Sequence, residues 1–323
     1  MNERESNEFC PNASDHWGQY WAGGALTSLP EDFRANYDGE IRQFWHDIVA
    51  AVPAGARVLD VCTGNGAIAL LAAEILSERE CAGEVLAVDA AAIRPSTIAQ
   101  RFPEQAERVR SVRFYPETRF EELDLSAASV DLITSQYGME YCDLAVAADQ
   151  CVRLLRPGGR LAMLCHAVDS DMLKTMEAEH RDYRRLDQLQ LLHHLGEFLD
   201  GHSTPATLRR VLSRTRAQIM GDPRLLSRPL NRMVLGMLDQ TRAMDDAAIE
   251  QARPRYLGFA RQLASGRDRL ADMLRVNRMM REDPGWTDVF ERAGLTKQAS
   301  GSIRYQGRYD VGHFHVFVKA GEA

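Results

Sequence analysis

A chain of 323 residues, 45% of them hydrophobic, can bury a large core and has room for one big domain or two modest ones, which excludes a disordered or fibrous class. A net charge of −7 argues against a general affinity for nucleic acid or for an anionic membrane surface. The six cysteines (10, 62, 81, 142, 151 and 165) form no C-x-x-C pair, so buried thiols fit better than disulfides or zinc. With a polar first stretch of sixteen residues and no apolar run of membrane-spanning length, the expectation is a cytoplasmic protein.

In chain order, a polar tail leads to His16-Trp17-Gly18-Gln19-Tyr20-Trp21. Trp17, Tyr20 and Trp21 read as lying too close together in sequence for one helical stripe. They form either a flap over a ligand or a staple that docks the N-terminus. A helix is expected from Gly39 to Val52, with Ile41, Phe44, Trp45 and Ile48 at helical spacing. Val58-Leu59-Asp60-Val61 is a short apolar strand ending near an acid, followed by a turn with Gly64 and Gly66, then by an Ala/Leu-rich helix from Ala67 to about Arg79. So tight a turn needs residues without a bulky Cβ, and it brings backbone N–H groups and a helix N-terminus against a ligand. Further strands are expected at Glu84–Asp89, Val109–Phe114, Ser129–Ser135 and Arg160–Cys165. Helices are expected at Ser96–Phe102 and at Leu144–Leu155, the latter stopped by Arg156-Pro157-Gly158-Gly159. Strands alternating with helices at this rhythm imply a parallel sheet covered on both faces.

From Val168 to Glu282 the strand signals stop, and several helices are expected, punctuated at Gly201, Gly221-Asp222-Pro223, Asp245 and Gly266. This stretch holds 20 of the 39 Lys/Arg but 16 of the 46 Asp/Glu, so it is net positive in an acidic chain, and it carries nine of the twelve methionines. Its Met and Leu residues offer an adaptable apolar pocket and its arginines could pair with an anionic or carbonyl-bearing small molecule, or it is a helical lid with a solvated face and a dimer seam. A helix ending at Gly294 and two strands, Ala299–Tyr305 and His313–Lys319, close the chain.

The spacing Asp60-x-Cys62-x-Gly64-x-Gly66 resembles motif I of the class I S-adenosylmethionine (SAM)-dependent methyltransferases, an acid followed by three alternating small residues, with Cys62 where the first glycine usually sits. The acid inside the motif and the lack of a third glycine at the dinucleotide spacing favour SAM over a nicotinamide cofactor. The resemblance implies that Asp60, Thr63, Gly64, Asn65 and Gly66 line SAM, and that Asp89, followed by Ala90, takes both ribose hydroxyls. It also implies that Glu117 and Thr118 flank adenine, that Gln136 and Tyr137 touch the methionine part and the acceptor, and that Tyr20 and Trp21 belong to a flap whose aromatic faces attract the sulfonium.

Among the nine histidines, His166 is the first choice for a general base because it directly follows strand five, on the rim where open α/β sheets bind ligands. Glu140, Tyr141 and Asp143 are comparable alternatives. His193-His194 and His313-x-His315 are not expected to bind metal, and no other metal site is expected.

The expected fold is α/β, a doubly wound, mostly parallel seven-stranded sheet of the class I methyltransferase type with a large all-helical insert between strands five and six. Residues 1–38 form an N-terminal flap segment, 39–167 and 283–323 the SAM-binding Rossmann-like domain, and 168–282 the insert. The resemblance implies SAM-dependent methylation, and the insert directs the expectation to the O or N of a small, partly hydrophobic metabolite, of the kind met in secondary metabolism, and to a homodimer formed through it; the charge leaves neither nucleic acid nor membrane as an expected partner. The alternative is a SAM-binding protein with a non-methylating reaction or an accessory role.

Overall fold

The computed structural model describes residues 15–29, 33, 35–80, 82–168 and 171–321. Cys10, Cys81 and the first fourteen residues of the expected flap segment lie outside them. The chain divides into two compact units, one built from residues 17–171 and 275–321 and the other from residues 172–274 with His16.

In the larger unit the elements run α1 (Asp15–Ala22), α2 (Gly39–Ala50), β1 (Arg57–Val61), α3 (Ala67–Glu78), β2 (Glu84–Val88), α4 (Pro95–Arg101), α5 (Ala106–Ser111), β3 (Val112–Tyr115), β4 (Val130–Gln136), α6 (Leu144–Leu154) and β5 (Leu155–Cys165). Then follow α7 (Asp171–Gln188), α8 (Leu191–Leu199), α9 (Pro205–Met220), α10 (Pro223–Leu226), α11 (Pro229–Arg242), α12 (Asp246–Gln251) and α13 (Arg253–Glu282), before α14 (Asp288–Arg292), β6 (Leu295–Tyr305) and β7 (Tyr309–Lys319). The seven strands form one sheet in the order β3-β2-β1-β4-β5-β7-β6. The first five are parallel, and β7 runs antiparallel to both of its neighbours.

Side chains of the central strands alternate between two cores, as the period of two of a strand requires. Val58, Val85, Ala87, Leu132, Ala162 and Leu164 pack with α2, α3 and α4 on one face. Leu59, Val61, Leu86, Val88, Ile133, Leu161 and Met163 pack with α6, α14 and the last turns of α13 on the other. This double covering explains why β1 and β2 read as near-continuous apolar runs.

Several expected boundaries shift. Residues 109–111 are the end of α5 rather than the start of β3, and Arg156-Pro157-Gly158-Gly159 does not end the helix before a strand but lies inside β5, which pairs through Val130↔Leu155 and resumes at Leu132↔Arg160 across an irregularity. Strands β6 and β7 are both longer than expected. Trp17, Tyr20 and Trp21 do share a helical stripe, contrary to expectation: at spacing i, i+3 and i+4 on α1 the rings meet, Trp17–Tyr20 at 6.2 Å and Tyr20–Trp21 at 4.8 Å between centroids.

The smaller unit is helical and has its own core, including Leu195, Phe198, Leu212, Val234, Tyr256 and Leu263. Gly201, Gly221-Asp222-Pro223 and Asp245 fall at helix ends, where Asp222 and Asp245 cap α10 and α12 by accepting from Arg224 N and Ala248 N. Gly266 does not punctuate: it sits inside α13, where a Cβ would meet the Tyr183 hydroxyl at 2.3 Å, so the glycine admits a tyrosine against the helix. Many arginines of this unit are paired within it, Arg228 with Asp182, Arg209 with Asp246, Arg216 with Asp239 and Arg267 with Asp187. Arg253 Nη1 donates to the carbonyls of Phe198 and Leu199 at the end of α8, the position where the helix dipole favours a cation.

Candidate functional site

The carboxyl ends of β1, β2, β4 and β5 bring the sequence-selected residues to one rim of the sheet. After β1 the backbone passes through three left-handed residues, Cys62 and Gly64 at φ +55 and Gly66 at φ +94, before α3 begins. A Cβ on Gly64 would stand 2.4 Å from the Trp21 ring, so this glycine is required twice, by its conformation and by its neighbour. Cys62, though not glycine, adopts the same region, and its Sγ lies 3.8 Å from Cys142 Sγ.

The acids sit at two depths. Asp60 is 1% exposed, and its two carboxyl oxygens accept from the hydroxyls of Thr63 (2.6 Å) and Thr134 (2.8 Å). Asp89 lies at the end of β2, where Oδ2 accepts from Gly64 N at 2.7 Å and Oδ1 from Ala91 N at 2.8 Å. Burial pushes the Asp60 carboxyl up to about 7 and the Asp89 carboxyl up to about 6.

Because both folded-state values lie above the ordinary carboxylate range, the stabilising neutral forms are fully present below about pH 4 and are lost as the pH rises through about 6 and 7. The melting temperature is therefore expected to fall by about 5 °C between pH 5 and pH 8 in thermal denaturation. Asp60→Asn should remove most of that fall, and a variant with the same pH slope as wild type would show that Asp60 is not its source.

Asn65 is fully buried, and its Nδ2 donates to the carbonyls of Trp21 (2.9 Å) and Ala25 (2.7 Å), tying the N-terminal segment to the turn. Its Oδ1 is buried with no hydrogen-bond partner among the described residues. Glu117 N donates to Ala91 O and Thr118 N to Asp89 O, which folds this loop back onto the end of β2 with the Glu117 side chain exposed and φ at +52. Ala90 is exposed between these contacts. Gln136, closing β4, accepts from Trp45 Nε1 through Oε1 at 2.5 Å.

On the β4–β5 side, Tyr137 adopts φ +52 and donates its hydroxyl to Val311 O at 2.7 Å. A Cβ on Gly138 would meet the Cys62 side chain at 2.4 Å, so the glycine between the aromatics serves the approach of this loop to the end of β1. The Tyr137 ring lies 4.8 Å from His166, Tyr141 lies 5.9 Å from His166, and Trp17 packs edge-on to Tyr141 at 5.6 Å. Through Tyr20 this series of rings reaches Trp21 over Gly64.

His166 and Glu140, weighed separately in the sequence as alternative bases, form one pair: Glu140 Oε1 lies 2.7 Å from His166 Nδ1 and accepts from His166 N at 3.0 Å. That pairing was missed because it depends on β4 and β5 being neighbours, the one available signal being that both residues follow consecutive strands. Asp143, the third acidic candidate, is instead the N-cap of α6. Among the described residues no group of three or more His, Cys, Asp or Glu side chains could hold a metal ion.

These residues fit SAM. The buried Asp89 carboxylate at the end of β2 suits a vicinal diol, the left-handed turn brings the backbone of Gly64 against it, and the Asn65 carbonyl oxygen is a buried acceptor left over. Gly64, Asp89 and Asn65 would hold the group.

Residues 58–159 match a family model described as a methyltransferase domain. Over 142 residues the chain is 34% identical to the malonyl-[acyl-carrier protein] O-methyltransferase of Methylococcus capsulatus, covering 42% of this chain and 46% of that protein. Over 137 residues it is 29% identical to the 2-phytyl-1,4-naphtoquinone methyltransferase of Synechococcus elongatus, covering 41% and 56%. The chain thus spans about half the length of the curated relatives it matches. A solved geranyl diphosphate C-methyltransferase from Streptomyces coelicolor superposes on 39% of this chain and 44% of its own at a TM-score of 0.32 and 18% identity, too slight a likeness to bear on the acceptor. Strand order, motif I turn and family match agree: the chain carries a class I methyltransferase domain whose cofactor is SAM.

Proposed function

We propose that this protein transfers the methyl group of SAM to the O or N of a small, partly hydrophobic metabolite, with His166 as the general base. The observation that carries the reading is the placement of the Gly64–Asp89 turn and the His166–Glu140 pair on one rim of the sheet, joined by a continuous series of aromatic rings. SAM, when bound, supplies a methyl carbon on a sulfonium, so that the acceptor's lone pair forms the new bond as the C–S bond breaks and sulfur keeps the electron pair. This chain's part is to hold and orient the two partners, exclude water with the rings of Trp17, Tyr20 and Tyr141, and take the acceptor's proton at His166. Asp60, Thr63, Gly66, Glu117, Thr118, Gln136 and Tyr137 complete the proposed cofactor site. The names of the relatives support methyl transfer as the reaction, one acting on an acyl-carrier-protein-linked malonyl group and the other on a naphthoquinone.

In the same reading, 168–282 is a helical insert in the methyltransferase sheet. Incubation with methyl-labelled SAM and a small-molecule cell extract is expected to yield a labelled small molecule. Tight SAM binding with no labelled product from any extract would favour an accessory binder instead.

A further inference from the structure

The Glu140 side chain is fully buried, whereas His166 keeps 13% of its side chain exposed. One carboxyl oxygen, Oε1, faces two nitrogens of the same residue, the backbone N at 3.0 Å and the ring Nδ1 at 2.7 Å. The backbone N–H can only donate, so Oε1 accepts from it. An ionised Glu140 offers Nδ1 only an acceptor, 2.7 Å away, and this places the ring proton on Nδ1. A neutral imidazole protonated on Nδ1 has its lone pair on Nε2, and Nε2 has no hydrogen-bond partner among the described residues.

Resting on the function proposed above, we propose that Glu140 is a positioning residue that locks His166 in the Nδ1–H tautomer, so that Nε2 is the atom that takes the proton from a neutral, hydroxyl-bearing acceptor. When Nε2 receives that proton the ring becomes a cation hydrogen-bonded to a buried carboxylate, which stabilises it; the proton then passes from Nε2 to water and the pair is restored. A buried carboxylate beside the base equally disfavours an acceptor that is already an anion. The other titratable groups around the pair leave it this role. Burial pushes the Tyr137 hydroxyl and the Cys165 thiol well up, and burial with the nearby Lys297 and His313 charges pushes His315 down to about 4, so all three are neutral at neutral pH. Tyr141 faces the ring from its edge.

The test is long-range ¹⁵N–¹H NMR of the full-length protein with ¹⁵N-labelled histidine at pH 8, with the His166 signals assigned through His166→Asn. Wild type is expected to show the Nδ1–H tautomer. Glu140→Gln should keep it, because the backbone N–H still selects the amide oxygen as its partner, and Glu140→Leu should lose it. In methyl transfer from labelled SAM, Glu140→Leu should lower kcat by about tenfold or more with SAM affinity within twofold of wild type, and Glu140→Gln should recover part of the loss. An Nε2–H tautomer in the wild type, or turnover in Glu140→Leu equal to wild type, would overturn the proposal. A wild type that shows the Nδ1–H tautomer yet transfers no methyl group would instead count against the proposed function and leave the lock in place.

Discussion

Gly64→Val is expected to lower SAM affinity more than 100-fold while leaving the far-UV circular dichroism of the domain close to wild type. Two independent features of the turn produce the effect. At φ +55 a β-branched residue is strained by about 1 to 3 kcal/mol, and its Cβ would stand 2.4 Å from the Trp21 ring, so either the turn or the aromatic flap must move. The turn also presents Gly64 N to Asp89, and displacing it withdraws a hydrogen bond from the proposed ribose acid. Gly158→Ala is the matched control: φ is +78 there too, but a Cβ would meet nothing within 4 Å, so only about 1 kcal/mol of backbone strain is expected and SAM binding should be unchanged. Equal loss of binding in both variants would mean that backbone strain alone, and not the cofactor cradle, explains the result.

His166→Ala should lower the methyl-transfer rate by about 10²-fold with little change in SAM affinity, since the proposed function puts the ring on the acceptor side of the rim and Asp89 on the cofactor side. The variant also leaves Glu140 buried without its principal partner, so a melting temperature should accompany the kinetics to separate chemistry from stability. Normal turnover in a folded His166→Ala protein would leave proximity and orientation to carry the reaction.

The α/β core was legible in the sequence because each central strand is buried on both faces and each helix carries its own period, so the alternation survives without knowledge of contacts. What misled were residues whose local preference is overruled by packing. Pro157-Gly158-Gly159 reads as a stop, yet β5 continues through it because Leu155 pairs with Val130 before the irregularity. Gly266 reads as a break, yet it is the place where Tyr183 meets α13. The site divides along the same line. Asp60 and Asp89 are visible because strand ends next to a glycine turn are local features. The links of Asn65 to Trp21 and Ala25, of Thr134 to Asp60, and of Glu140 to His166 join segments far apart in the chain and follow only from sheet order and register.

Calorimetric titration of SAM into the wild type and into Asp89→Ala, at pH 5 and at pH 8, addresses the placement of the cofactor most directly. An ionised Asp89 can accept two hydrogen bonds from a ribose diol, and its carboxyl is pushed up to about 6, so wild-type affinity should rise by roughly tenfold between pH 5 and pH 8. Asp89→Ala should lose the part of the rise that is centred near pH 6 and bind at pH 8 more weakly by about 2 kcal/mol or more. Wild-type affinity that is flat with pH, together with an Asp89→Ala protein that binds SAM within twofold of wild type, would contradict a cofactor held on Asp89 at the rim of this sheet.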